Sequence, residues 1–165
     1  MLIHFIRHGQ PDYSNIKNTD PIYFSNLSPL TEKGINQANE INIENMKNSQ
    51  IIIVSPYTRT MQTAAILSKN INKNILVNEN LHEWLPDKTY QSKIANFTEY
   101  NKLFLKNECD KCNCETMEDL KIRLLKELDI YKEKYNEIII VAHQRLISSL
   151  INKDLKYCEA FDFTY

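Results

Sequence analysis

The chain has 165 residues, 42% of them hydrophobic, and its 20 basic and 21 acidic residues leave a formal net charge of −1. This size and hydrophobic content predict one compact domain spanning residues 1–165. The balanced charge gives no electrostatic reason to expect a nucleic-acid or membrane-surface partner. No apolar run approaches the ~20 residues that span a bilayer, and no signal-peptide pattern opens the chain, so we expect a cytoplasmic protein.

The first third of the chain predicts two strands and one helix. Residues 2–6 form an apolar run typical of a strand, whereas residues 10–30 are polar, contain prolines and predict no long regular element. Thr31 is a suitable N-cap for a helix that extends to about Asn48. The apolar run 51–54 predicts a short strand that is buried on both faces.

The middle of the chain predicts a helix, a strand and a second helix. Pro56 suits the first turn of a helix that extends to about residue 70. The apolar run 75–77 is a third strand candidate. Aromatic side chains recur at helical spacing over residues 90–104, and we expect residues 84–113 to cover a substrate site.

The last third predicts a long helix, a buried strand and a short helix. Apolar side chains at helical spacing over 117–135 indicate the long helix, 138–142 is a fourth buried strand, and 144–152 is the short helix. Residues 158–165 add an edge strand. This alternation predicts an α/β fold, a three-layer sandwich with a mostly parallel central sheet flanked by helices.

Three of the four cysteines lie in one short segment. Cys109, Cys112 and Cys114 form a Cys-x-x-Cys-x-Cys pattern that could bind a soft metal or undergo redox chemistry. A structural zinc site needs four ligands, no histidine is near in sequence, and only Cys158 remains as a fourth ligand. We therefore favour a polar loop with reduced thiols, and expect no metal and no other cofactor.

Charged and imidazole side chains follow the predicted strands at the points where the strands end. In chain order they are Arg7 and His8, Arg59, Glu83, and His143. The carboxyl ends of parallel strands meet at one edge of a sheet, which is where ligands bind in such folds. The spacing therefore predicts one pocket with two arginines, two histidines and one carboxylate.

This set of side chains suits a phosphoryl group. Arginine donates paired hydrogen bonds to phosphate oxygens from a planar, permanently charged fork. A neutral imidazole can attack phosphorus, and a second, protonated one can stabilise the equatorial oxygens. Two nearby arginines disfavour protonation of the attacking ring. Glu83 could protonate the leaving alcohol. His4 and His82 are interpreted as structural, and a metal pair made of His4 and His8 is a less favoured alternative.

Five ordered motifs resemble the histidine phosphatase superfamily, the phosphoglycerate mutase-like proteins. They are FIRHGQ (5–10), LTEKGINQA (30–38), SPYTRTMQTA (55–64), CETMEDLKIR (114–123) and VAHQ (141–144). The resemblance covers nearly the whole chain and implies a phosphoglycerate mutase-like fold. It also implies that His8 is the nucleophile that becomes phosphorylated, that Arg7, Arg59 and His143 bind phosphate, and that no metal is needed. Glu83 falls at the position of the family's acid.

Two positions depart from the family pattern. Many members carry an asparagine six residues after the nucleophile, where this chain has Ser14 followed by Asn15, and either could donate to phosphate. Gln144 stands where glycine usually follows the second histidine. Its backbone N–H could serve the same phosphate oxygen if its φ is negative, because a left-handed conformation is costly for a residue with a Cβ.

The leading hypothesis is a metal-independent histidine acid-type phosphomonoesterase that hydrolyses a small phosphorylated molecule through a phosphohistidine on His8. A phosphoglycerate mutase is an alternative, disfavoured because the segment between Glu83 and the long helix is short. A non-catalytic phospho-ligand-binding module is a second alternative, supported only by Ser14 and Gln144. The sequence indicates neither the substrate nor the oligomeric state.

Overall fold

A five-stranded sheet forms the centre of the structure, a computed structural model that describes residues 1–14, 25–89 and 97–165. The strands are β1 (Leu2–Arg7), β2 (Ile52–Val54), β3 (Ile75–Val77), β4 (Glu137–Ala142) and β5 (Ala160–Thr164). Their spatial order is β3-β2-β4-β1-β5. The first four are parallel, and β5 pairs antiparallel with β1 at the edge. The predicted α/β fold with its mostly parallel sheet is confirmed.

Helices pack on both faces of this sheet. They are α1 (Glu32–Asn39), α2 (Thr58–Ile71), α3 (Phe97–Leu105), α4 (Met117–Lys132) and α5 (Gln144–Ile151). The first residues of the predicted 90–104 helix lie outside the described residues. Within the described ranges, every helix is too short or too polar to cross a membrane.

Alternate residues of each central strand enter two separate hydrophobic cores. In β4, Ile138 and Ile140 face the core formed with α4 and α5, whereas Ile139 and Val141 face the core formed with α2. All four side chains are fully buried. A strand that is buried on both faces needs a continuous apolar run, which is why the short runs in the sequence predicted these strands.

Two predicted helix boundaries are wrong. Thr31 caps α1 as predicted, but the helix ends at Asn39 instead of near Asn48, and a 3-10 turn follows at Glu44–Met46. The segment is rich in asparagine, and the Asn42 side chain accepts a hydrogen bond from the backbone N–H of Glu44 at 3.0 Å, which competes with a continuing helix.

The second wrong boundary is the start of α2. Tyr57 is its N-cap and Thr58 its first residue, so Pro56 precedes the helix instead of occupying its first turn. The Thr60 hydroxyl donates to the carbonyl of Ser55 at 2.9 Å and to that of Tyr57 at 2.6 Å. Tyr57 itself has an extended backbone, with φ −75° and ψ 144°, so the chain enters α2 as an extended segment.

The two glycines of the chain pack against each other where the end of β1 meets α1. A Cβ on Gly9 would lie 2.6 Å from the carbonyl oxygen of Gly34, and a Cβ on Gly34 would lie 2.3 Å from that of Gln10. Neither glycine has a positive φ. They are therefore required for close backbone approach, which fixes the segment after β1 against the start of α1.

We expect Gly34→Ala to lower the free energy of unfolding by about 1–3 kcal/mol, because overpacking forces the two segments apart. This loss should occur although alanine is the better helix former by about 1 kcal/mol. Lys33→Ala, at an exposed position of the same helix, is the matched control and should change stability by no more than about 0.5 kcal/mol. Urea denaturation measures both, and a Gly34→Ala protein as stable as the wild type would contradict the close packing.

Candidate active site

The carboxyl ends of three parallel strands bring the predicted phosphate-site residues together. His8 follows β1, and its backbone N–H donates to the carbonyl of Ala142 at the end of β4 at 3.1 Å. Arg59 is the second residue of α2, which follows β2, and His143 is the N-cap of α5, which follows β4. A cavity of about 310 Å³ opens at this edge and is lined by Arg7, His8, Arg59, Glu83 and Gln144, among others.

Arg59, which lines this cavity, connects His8 to His143, which is fully buried and does not itself line the cavity. Its Nε–H donates to Nε2 of His8 at 3.2 Å, and its Nη2 donates to Nδ1 of His143 at 3.2 Å. A third bond runs from Nη1 to the carbonyl of Ser25 at 2.8 Å. The imidazole centroids are 5.3 Å apart, and Arg59 is 3% exposed, so one buried guanidinium orients both rings.

The hydrogen bonds of Arg59 determine which nitrogen of each ring carries the proton. A guanidinium only donates, so Nε2 of His8 and Nδ1 of His143 are acceptors without a proton. The other nitrogens are then the donors: Nδ1–H of His8 donates to the carbonyl of Gly9 at 2.7 Å, and Nε2–H of His143 donates to Oγ of Ser55 at 2.7 Å. The lone pair of His8 Nε2 therefore faces the arginine.

Both rings are neutral near pH 7. Burial, followed by the charge of Arg59, lowers the pKa of His8 to about 3; Arg7 adds to this effect, and the bond to Gly9 opposes it. Burial and then Arg59 also hold the pKa of His143 well below its ordinary value. The Nε2 lone pair of a neutral ring needs no base to expose it, but here it accepts the hydrogen bond from Arg59, so attack by His8 on an electrophile requires that this bond be displaced.

Arg7 also lines the cavity, and part of its guanidinium has no hydrogen-bond partner in the described part of the chain. Its Nη1 donates to the carbonyl of Leu155 at 2.7 Å, and its guanidinium carbon lies 4.0 Å from the ring centroid of Tyr157. Its Nε is buried and has no acceptor among the described residues. Buried donors are nearly always paired, so an anion in the cavity would complete this arginine.

The backbone around Glu83 is clamped by a buried ion pair. Arg123 contacts the Glu115 carboxylate at 3.0 Å, and its Nη1 also donates to the carbonyl of His82 at 3.0 Å. The same carboxylate accepts the backbone N–H of Leu85 at 2.8 Å. Because residues on both sides of Glu83 are bound to this pair, its half-buried side chain is held at the cavity wall.

Gln144 supports Arg7 with its side chain. Its φ is not in the left-handed region, so the residue begins α5 without strain. The side-chain oxygen accepts the backbone N–H of Leu155 at 3.1 Å, and the carbonyl of Leu155 in turn accepts from Arg7. Glutamine in place of the usual glycine thus adds a support for the residues that hold Arg7, and the φ condition stated above is met.

Ser14 is not brought into the cavity. It is exposed, and its backbone N–H donates to the Asp12 carboxylate at 2.8 Å. The residues that line the cavity from this part of the chain are Tyr13, Ser25 and Asn26. Asn15, the alternative phosphate donor in the sequence prediction, lies outside the described residues.

The two histidines interpreted as structural have local partners. His4 is fully buried, and its ring nitrogens contact Asp162 at 2.7 Å and Glu137 at 3.2 Å. Nδ1 of His82 contacts the carbonyl of Glu83 at 2.7 Å. Neither histidine lines the cavity, and His4 joins the edge strand β5 to the sheet.

The cysteine cluster does not assemble a four-ligand site. The sulfurs of Cys112 and Cys114 are 3.2 Å apart, and all four cysteines are free thiols. Cys158 packs on the opposite sheet face from the core that contains Cys109 and Cys114. In the part of the chain that the structure describes, no group of three or more histidine, cysteine or acidic side chains is placed to hold a metal.

Tyr57 and Arg145 line the cavity although the sequence prediction assigned them no role, whereas Trp84 and Phe97 belong to the predicted substrate cover. Tyr57 packs its ring 5.0 Å from that of His143, and Trp84 and Phe97 form an aromatic wall within the predicted 84–113 cover. Arg145, at the second position of α5, is the most consequential omission. Its signal was compositional, because it is one of only four arginines in a lysine-rich chain.

Comparison with known proteins identifies a family for the chain. The sequence model of the histidine phosphatase superfamily (branch 1) matches residues 3–161. No curated protein matches at a significant level.

Solved structures share the fold at low sequence identity. A phosphoserine phosphatase from Entamoeba histolytica in complex with 3-phosphoglyceric acid has a TM-score of 0.70 at 24% identity, covering 99% of this chain and 90% of that chain. A mycobacterial glucosyl-3-phosphoglycerate phosphatase complexed with VO3 has a TM-score of 0.71 at 19% identity, covering 99% of this chain and 90% of that chain. A phosphoglycerate mutase from Bacillus anthracis has a TM-score of 0.69 at 17% identity, covering 98% of this chain and 86% of that chain. These likenesses show the phosphoglycerate mutase-like fold.

The depressed histidine pKa values predict how stability depends on pH. The ordinary histidine pKa is 6.5, and in the folded protein that of His8 is about 3, so between these values the unfolded chain binds more protons. The free energy of unfolding should therefore fall as pH decreases from about 7 to about 5, by up to about 1.4 kcal/mol per pH unit for His8 and likewise for His143.

Urea denaturation of the wild type and of His8→Gln over this pH range isolates the contribution of His8. The free energy of unfolding of the variant should depend less steeply on pH than that of the wild type, and the difference in slope is the contribution of one histidine. Identical pH slopes for the two proteins would mean that His8 is not held neutral by the fold.

Proposed function

The chain belongs to the histidine phosphatase superfamily (branch 1), and we propose that it hydrolyses small phosphomonoesters through a phosphohistidine formed on His8. The observation that carries this proposal is the neutral, buried His8, whose unprotonated Nε2 accepts a hydrogen bond from Arg59 in a cavity that Arg7 and Glu83 also line. We further propose that no metal or cofactor takes part, since the side chains themselves supply the positive charge.

In the first step, Nε2 of His8 attacks phosphorus in line with the ester oxygen. The N–P bond forms while the P–O bond breaks, and Glu83, as a carboxylic acid, gives its proton to the leaving oxygen. Positive charge develops on the imidazole as its lone pair is used. The bond from Nδ1–H to the carbonyl of Gly9 stabilises this charge and keeps the ring oriented.

The arginines and His143 stabilise the phosphoryl oxygens during transfer. Arg59 can redirect the N–H groups that now contact His8 and His143 toward phosphate oxygens, and Arg7 offers its unpaired Nε–H. A bound phosphate dianion also offsets the arginine charge that disfavours protonation of His143. That ring could then take up a proton and donate to the phosphoryl group.

In the second step, the Glu83 carboxylate accepts a proton from water, and the resulting hydroxide attacks the phosphohistidine. The P–N bond breaks, inorganic phosphate leaves, and His8 returns to its neutral form with the proton on Nδ1. Glu83 is then protonated and ready for the next substrate. The clamp formed by Glu115 and Arg123 would keep the carboxyl group within reach in both steps.

We favour a phosphatase over a mutase, which would transfer the phosphoryl group between substrates. Two of the similar structures are a phosphoserine phosphatase and a glucosyl-3-phosphoglycerate phosphatase, which supports a phosphatase. The phosphoglycerate mutase of similar fold makes transfer the alternative, and a binding module without catalysis is the second. Both alternatives give distinct results in the experiment below.

Glu83→Gln should separate the two steps when p-nitrophenyl phosphate is the substrate. p-Nitrophenolate leaves with little help from an acid, so phosphorylation of His8 should continue. Hydrolysis should slow by about 10²–10⁴-fold because it needs Glu83 as base. Stopped-flow absorbance should therefore show a burst of about one equivalent of p-nitrophenol, followed by slow turnover.

The control is His8→Gln, which should show neither burst nor turnover, with circular dichroism to verify its fold. Acid-labile, alkali-stable phosphate should accumulate on Glu83→Gln and not on the double variant that combines His8→Gln with Glu83→Gln. Wild-type turnover by His8→Gln would contradict the proposal. A wild-type protein that binds the ester but never becomes labelled would be a binding module. One that interconverts 2- and 3-phosphoglycerate without releasing phosphate would be a mutase.

A further inference from the structure

Three of the four arginines line the cavity without an acidic partner. Arg7, Arg59 and Arg145 have no carboxylate oxygen within the 4.0 Å of an ion pair among the described residues. Arg123 lies outside the cavity and is paired with Glu115 at 3.0 Å. The unpaired arginines are thus concentrated at the site where an anionic substrate would bind.

Arg145 is held in a fixed direction by uncharged groups. Its guanidinium carbon lies 4.6 Å from the ring centroids of both Trp84 and Phe104, and its Nη2 donates to Oδ1 of Asn101. Arginine stacks well on aromatic faces, and the stacking leaves the donors at the edge of the plane free for other partners. Burial lowers the pKa of Arg145, and the nearby Glu83 opposes this shift.

The charges of the cavity do not balance with a simple phosphomonoester. Arg7 and Arg59 carry two positive charges, which match the two negative charges of a phosphate dianion. Glu83 acts on Arg145 only from beyond ion-pair distance, and in the proposed first step it carries the proton for the leaving oxygen, so in that step the charge of Arg145 has no counterpart. A partly buried cation without a counter-ion costs free energy, which a ligand anion would offset.

We propose that Arg145 binds a second anionic group of the substrate, so that the preferred substrates are small phosphomonoesters that also carry a carboxylate or a second phosphate. This inference rests on the proposed function of the same cavity. Both anions accept paired hydrogen bonds from a guanidinium fork. The two subsites have a fixed spacing, because His143 and Arg145 are the N-cap and the second residue of the same helix, α5.

The shape of the cavity agrees with this class of substrate. Its volume of about 310 Å³ is at the lower end of the range for small-molecule sites, which favours a compact molecule over a peptide. Trp84, Pro86 and Phe97 form an apolar wall beside Arg145. This wall would limit the access of water to an ion pair between Arg145 and the substrate and so strengthen it.

Three esters with the same three-carbon skeleton test the proposal. They are 3-phosphoglycerate, which has a carboxylate, glycerol 1,3-bisphosphate, which has a second phosphate, and glycerol 3-phosphate, which has an uncharged hydroxymethyl group instead. The wild type should hydrolyse at least one of the first two with a higher kcat/KM than the third. Arg145→Met should lower that preference by about 10–100-fold, the range expected for a charged hydrogen-bonded pair, and Arg145→Lys should restore part of it. The anionic ester whose advantage in kcat/KM over glycerol 3-phosphate is lost in Arg145→Met identifies the second anion.

Lys106→Met is the control for overall charge. Lys106 follows the last residue of α3, its side chain is exposed, and it does not line the cavity. It should leave the preference unchanged. If Arg145→Met lowers kcat/KM for all three esters by the same factor, Arg145 only supports the fold of the cavity, and the inference is wrong. A wild type with no preference for either anionic ester would overturn it equally.

Binding measurements separate this inference from the proposed function. Calorimetric titration of His8→Gln, with and without Arg145→Met, gives the dissociation constants of the same three esters without turnover. If the wild type hydrolyses none of them but His8→Gln binds the anionic esters more tightly through Arg145, the inference holds and the proposed hydrolysis is wrong. If the wild type hydrolyses the esters and His8→Gln binds all three with equal affinity, the proposed hydrolysis holds and the inference about Arg145 is wrong.

Discussion

The site depends on one arginine placed between two imidazoles. Arg59 donates to Nε2 of His8 and to Nδ1 of His143, and these bonds determine the tautomer of each ring. Its charge, added to the effect of burial, keeps both rings neutral. In the proposed mechanism, the same contact therefore provides a nucleophile that needs no deprotonation and a cation that binds phosphate. Displacement of these bonds by phosphate oxygens would release the lone pair of His8 at the moment when substrate is in place.

The rest of the fold keeps the partners of Arg59 in position. Gly9 follows His8 and packs against Gly34 of α1, so the backbone that accepts the bond from His8 Nδ1 is held by a contact that tolerates no side chain. The Glu115–Arg123 pair likewise holds the backbone of the segment that carries Glu83 in position. A cost of several kcal/mol is expected when one partner of such a buried pair is removed, so the proposed acid is held in place by two side chains that do not line the cavity.

Much of the architecture could be predicted because short apolar runs mark strands that are buried on both faces. Residues at the ends of those strands had to converge at one sheet edge, and Arg7, His8, Arg59 and Glu83 do line one cavity. The end of α1 could not be predicted, because Met46 is buried by a turn and not by a longer helix. The place of Arg145 depends on how α3 and Trp84 pack over α5, and no local pattern in the sequence encodes that packing.

Nitrogen-15 NMR of the imidazole rings tests the central role of Arg59 most directly. The wild-type protein should show His8 as the neutral tautomer with its proton on Nδ1, and its signals should not titrate between about pH 5 and pH 8. Arg59→Leu should bring the His8 pKa closer to its ordinary value. A wild-type His8 that titrates near pH 6.5, or that carries its proton on Nε2, would contradict the account.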